Sequence, residues 1–185
     1  KKLNPNLSLP NQEITVVVRA DASGTTAVFT DYLCQVNAEF KKDIGSNKQV
    51  QWKTGNIAAG KGNAGVAAFV NQLPGAIGYV EYAYAKQNKL TFTKMINKDG
   101  KTVEPSATAF GAAAAGAAWD PANGFGTILT DQPGAGAWPI AGATFILVYK
   151  QPADQAATKE ALKFFQWAYQ NGDQMASGLD YVPFP

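Results

Sequence analysis

The densest group of reactive residue types in the chain is Arg19-Ala20-Asp21-Ala22-Ser23-Gly24-Thr25-Thr26. A β-branched run, Glu13–Arg19, leads into it, and a helical pattern leaves it from Thr25. The group therefore falls at a strand-to-helix junction. There the first helical amides lack intrahelical acceptors, and the helix macrodipole places about half a positive charge. Ser23 and Thr25 add hydroxyl donors, and Gly24 lets an oxyanion approach the backbone with no Cβ in the way. Arg19 brings a fixed charge to the same point, and its planar fork suits a tetrahedral oxyanion. Asp21 can hold that guanidinium and partly neutralise it. Together these are the parts of a dehydrated anion site. Each also has a plainer use, since a serine before a helix is an ordinary N-cap and Arg-x-Asp is a common surface pair.

Other chemistries find less support. Gly55-Asn56-Ile57-Ala58-Ala59-Gly60-Lys61-Gly62 nearly matches a phosphate-binding loop, but Gly62 stands where a serine or threonine would hold magnesium. It also precedes a helical pattern without an evident hydrophobic strand directly before it, so a flexible loop is expected, with Gly60, Lys61 and Asn63 available to line a cleft. The 185 residues include no histidine and one cysteine. A Ser-His-Asp triad, a Cys-His dyad, a histidine-ligated metal and an internal disulfide are thus excluded within these residues. Cys34 reads as a small buried hydrophobe. Asp21, Asp31, Glu39 and Asp43 lie in or near the first helix with no distinctive acid/base pairing. Tyr79, Tyr82 and Tyr84 can stack a sugar, but packing is the simpler use. No metal or cofactor is expected. A net charge of +2 carries no basic footprint for nucleic acid, and no apolar run approaches the roughly 18 residues of a membrane span.

The elements that must position the anion group alternate between strand and helix, which implies an α/β architecture. Lys1–Gln12 reads as an entry loop and Glu13–Arg19 as a buried strand. A helix follows from Thr25 to about Lys42, with Val28, Phe29, Tyr32, Leu33, Val36 and Phe40 on its apolar face. Gln49–Trp52 reads as a short strand, Thr54–Gly65 as a loop and Gly65–Leu73 as a helix stopped by Pro74-Gly75. Ala76–Val80 is expected as a strand, Glu81–Asn88 as a helix and Leu90–Ile96 as a strand. Ser106 caps an alanine-rich helix reaching about Trp119. Ala143–Tyr149 reads as a strong apolar strand. It is followed by a helix near Thr158–Gln170, whose apolar face holds Ala161, Leu162, Phe165 and Trp167–Ala168. An irregular tail, Gly178–Pro185, ends the chain.

Four blocks are familiar in this order. They are Arg19-Ala20-Asp21-x-Ser23-Gly24-Thr25, Gly60-Lys61-Gly62-Asn63-x-Gly65, Leu73–Ala85 (LPGAIGYVEYAYA) and Ala137-Trp138-Pro139-Ile140. With them the chain resembles the PstS family, the phosphate-binding proteins of phosphate ABC transporters, over essentially all its residues. The resemblance implies a type II periplasmic-binding-protein-like α/β fold, in which two lobes close on a dehydrated phosphate. Matched residue by residue, it implies that Arg19, Ser23, Gly24 and Thr25 bind inorganic phosphate and that Asp21 orients the arginine.

It also implies a truncated chain, holding most of the second lobe plus part of the first. Residues 1–137 would be the incomplete second lobe, and residues 138–185 a crossover strand and helix returning to the first. The family's other ligands, including an aspartate that accepts a proton from phosphate, belong to the first lobe, so this chain alone is expected to bind weakly and less selectively. The implied setting is periplasmic, with inner-membrane ABC permease subunits as partners, no nucleic acid, no direct membrane insertion and no catalysis. Two rivals remain from other classes: a phosphatase or phosphotransferase with Ser23 or Thr25 as nucleophile, and a phosphate-indifferent surface adhesin on the same fold.

Overall fold

A computed structural model describes residues 4–183. The chain divides into two compact units, Lys1–Ala27 with Asn47–Leu90, and Val28–Ser46 with Thr91–Pro185.

The first unit is built on a three-stranded parallel sheet of order β2-β1-β3. Strand β1 (Thr15–Arg19) is central, with β2 (Ile57–Gly60) on one side and β3 (Ala76–Gly78) on the other. Val17 and Val18 of β1 are buried, as expected of a parallel strand covered by helices. The cover includes helix α3 (Gly62–Gln72), which buries Val66 and Ala67, and helix α4 (Tyr82–Gln87) buries Ala83 and Ala85. The register runs from Val16 opposite Ile57 to Arg19 opposite Gly60. On the other side Thr15 lies opposite Ala76 and Val17 opposite Gly78. Helix α1 (Gly24–Val36) starts in this unit, five residues after β1 ends.

Two differences from the sequence expectation matter here. The strand beside β1 is β2, inside the stretch expected to be a loop, and Gln49–Trp52 is not a strand. A strand therefore does run directly into Lys61-Gly62, contrary to expectation. Ile-Ala-Ala-Gly has little intrinsic strand signal, and its pairing with β1 decides it. Close packing also dictates its last residue: a Cβ on Gly60 would lie 2.5 Å from Gly65 C and Val66 N. Only glycine permits so tight a turn from β2 into α3.

The second unit takes the rest of α1, then α2 (Ala38–Asp43), a hairpin of β4 (Met95–Ile96) and β5 (Thr102–Val103), and α5 (Ala107–Ala115). The single helix expected from Thr25 to Lys42 is broken at Asn37. Its backbone is extended and its side chain accepts from Phe40 N, so it caps a new helix instead of continuing the old one. Ser106 caps α5 as expected, accepting from Ala109 N at 3.2 Å. Ala113, Leu129, Ala137 and Ala141 form the buried cluster of this unit.

The apolar run Ala143–Tyr149 is not a strand, contrary to expectation. A strand exists only through a partner's hydrogen bonds, and the described residues supply none to this run. Leu147 and Tyr149 are 92% and 85% exposed. Helix α6 (Gln155–Asn171) forms where expected, capped by Asp154, but none of its residues is buried. A last helix, α7 (Asp173–Gly178), was not anticipated. Of the expected terminal loops, residues 1–3 and 184–185 lie outside the described residues.

Candidate functional site

Arg19 sits at the carboxyl end of the central strand, where open α/β sheets receive ligands. Its guanidinium is fixed on three sides. Nε donates to Asp21 Oδ1 at 3.0 Å and Nη2 to Asp21 Oδ2 at 2.6 Å, the two-point fork that carboxylates favour. Nη1 donates to Ser23 Oγ at 2.7 Å. The Arg19 side chain is 11% exposed and that of Asp21 38%. The guanidinium is thus largely shielded from water while the carboxylate stays partly exposed to it.

Ser23, only 4% exposed, is the hub between the strand end and helix α1. Its Oγ accepts from Thr25 N at 3.1 Å and Thr26 N at 3.3 Å, the bonds of an N-cap, while also accepting from Arg19. Its own amide donates to Lys48 O at 2.9 Å. The cap use expected of Ser23 coexists on one oxygen with a contact to Arg19 that the sequence did not suggest. Gly24, the first residue of α1, is exposed, and a Cβ there would meet nothing within 4 Å.

Asp21 is held from a second direction, because Gly62 N at the start of α3 donates to its Oδ1 at 3.0 Å. The Arg19 side chain first, and the Gly62 amide second, hold the Asp21 carboxyl far below the usual carboxylate range. The hydrogen bond to Asp21 correspondingly raises Arg19, against the opposing effect of burial. The glycine-rich stretch thus turns its helix start toward the protein's own carboxylate. Gly62 adopts φ +66°, a conformation glycine takes without strain. Lys61 is exposed, and Asn63 accepts from Glu81 N at 3.4 Å.

Tyr79 and Thr26 meet at this junction, in a role that neither has from sequence alone. Tyr79 follows β3, and its hydroxyl accepts from Arg19 N at 3.3 Å and lies 2.8 Å from Thr26 Oγ1. Its ring packs 6.0 Å from that of Trp52. Thr26 is 2% exposed. The signal available was position: Tyr79 comes straight off the end of the strand neighbouring β1.

The remaining candidates lie elsewhere. Asp31 receives Gln35 Nε2 at 2.8 Å and the Thr130 hydroxyl, within a cavity of about 570 Å³ in the second unit. Cys34 lines that cavity and is half-buried rather than buried. Among the described residues no group of histidine, cysteine and carboxylate side chains could hold a metal ion.

Residues 4–171 match the PBP superfamily domain. The chain belongs to the PBP superfamily. Among curated proteins it is 49% identical, over all of its length and 53% of the relative's, to "Phosphate-binding protein PstS" of Pasteurella multocida. It is 48% identical to the protein of that name from Xylella fastidiosa, over 98% of this chain and 50% of the relative. The protein of the same name from Methanocaldococcus jannaschii is 37% identical over all of this chain and 52% of its own length. The chain therefore spans about half the length of the curated relatives it matches. The α/β class expected from the sequence is the one observed, and its three-stranded sheet is parallel. Among the described residues no helix is long and apolar enough to cross a membrane.

Proposed function

We propose that this chain binds inorganic phosphate in the periplasm and passes it to the permease subunits of an ABC transporter, without chemical turnover. The observation that carries the reading is the Arg19 guanidinium, fixed by Asp21 and Ser23 beside the first turn of α1. Its support from relatives is the 49% identity to a phosphate-binding protein across the whole chain.

A guanidinium has five N–H donors, of which three are committed to Asp21 and Ser23, leaving two for a ligand. The Ser23 oxygen accepts from Arg19 and, in a shared cap interaction, from the Thr25 and Thr26 amides, so its own hydrogen remains to donate. The Gly24 amide has no intrahelical acceptor at this position, and the Thr25 hydroxyl stands on the same turn. With the guanidinium already held by Asp21 and Ser23, these donors suit a tetrahedral oxyanion stripped of water. Asp21 acts as the orienting residue. With its carboxylate engaged by Arg19 and Gly62, and no histidine among the 185 residues, no free general base stands beside Ser23 or Thr25 among the described residues. That supports binding rather than hydrolysis.

Calorimetric titration with phosphate tests the reading. Arg19→Ala removes a charged donor whose loss costs about 2–5 kcal/mol, so affinity should fall roughly thirtyfold to several thousandfold. Unchanged affinity in that variant overturns it.

A further inference from the structure

The ladder on the two sides of β1 ends at different heights. Pairing with β2 continues to Arg19 opposite Gly60, whereas pairing with β3 stops at Val17 opposite Gly78. On the β3 side the Arg19 amide has therefore outrun its strand partner. The acceptor it finds is the Tyr79 hydroxyl, at 3.3 Å. The same hydroxyl lies 2.8 Å from Thr26 Oγ1 in the first turn of α1, with either oxygen able to donate. One phenol thus ties the backbone that carries the guanidinium to the helix turn that carries the Gly24 and Thr25 donors. Asp21 and Ser23 fix the guanidinium tip, while Tyr79 fixes its base.

We propose that Tyr79 is a positioning residue for the anion site, setting the separation between the Arg19 backbone and the first turn of α1 through its hydroxyl. The proposal rests on the phosphate-binding reading for its effect on affinity, but not for its effect on Arg19. Tyr79→Phe deletes the hydroxyl and keeps the ring packed near Trp52. Losing neutral hydrogen bonds of this kind corresponds to about three- to tenfold in an equilibrium constant, and phosphate affinity should weaken by that factor. Because the tie acts as one device, Thr26→Val should weaken binding similarly, and the double variant no more than either alone.

A second readout needs no ligand. Hydrogen exchange at Arg19 Nε, followed by NMR, should accelerate severalfold in Tyr79→Phe. Val66→Ala, which trims the fully buried core beneath the same sheet, serves as the control for general loosening. It should lower the melting temperature while leaving affinity and Arg19 exchange near wild type. The proposal is overturned if Tyr79→Phe leaves both readouts unchanged, or if Val66→Ala moves both as far. If Arg19→Ala keeps full phosphate affinity, the phosphate reading fails, and the exchange measurement alone decides the role of Tyr79.

Discussion

At Asp21 an acid group is surrounded by donors: Arg19 by two bonds and Gly62 by one. Its carboxyl is held well below the ordinary range, so the folded protein keeps it charged where the unfolded chain begins to take up protons. The stabilisation is therefore complete above the unfolded pKa of about 4 and declines as the pH falls below it toward the folded value. Wild type should exceed Asp21→Asn in stability by a constant margin from pH 8 to about 5, and that margin should shrink below about pH 4. Chemical denaturation across that range measures it, and a margin that varies near neutrality would exclude the pair as its source. Ser23→Ala removes an N-cap and an acceptor for Arg19 together. A loss of about 0.5–2 kcal/mol is expected from the cap alone, with weaker phosphate binding alongside; thermal melts and titration separate the two effects.

Elements enter through their ends. Gly60 closes β2 against the start of α3, and Gly24 opens α1. Both are glycines at strand–helix junctions, yet they should respond oppositely to alanine. At Gly60 the new Cβ collides with backbone 2.5 Å away, which cannot yield as a side-chain tip would. Overpacking of this kind costs about 1–3 kcal/mol or more, so Gly60→Ala should melt earlier or fail to accumulate folded. At Gly24 the space is open to 4 Å, and alanine suits a helix better than glycine. Gly24→Ala should therefore fold as well as wild type or better, while its methyl intrudes on the approach of phosphate and weakens binding. Equal affinity in a well-folded Gly24→Ala would remove this turn from the site.

At the scale of the molecule, the run Ala143–Tyr149, which pairs with no strand among the described residues, and the unburied helix α6 leave large apolar side chains in water, among them Leu147, Tyr149, Phe164 and Tyr169. Contiguous exposed apolar side chains favour association with another chain. The 185-residue chain should therefore self-associate as its concentration rises, and Leu147→Lys should shift it toward monomer in analytical ultracentrifugation. A wild-type chain that stays monomeric at high concentration would contradict this. The chain also spans about half the length of its curated relatives.

The amino-acid sequence alone determined the local chemistry: the Arg19–Thr25 turn, the Ser106 cap, the position of α6 and the alternation of strand with helix. These depend on neighbours within a few residues, which sequence records directly. Strand identity was different. Ile57–Gly60 became a strand and Ala143–Tyr149 did not, because pairing is a property of two segments and apolar content describes only one. The Gly62 amide on Asp21 and the Tyr79 hydroxyl on Arg19 lie 41 and 60 residues from their partners. Tertiary structure alone brought them to the Arg19–Thr25 turn, through the parallel register that sets the ends of β2 and β3 beside the end of β1.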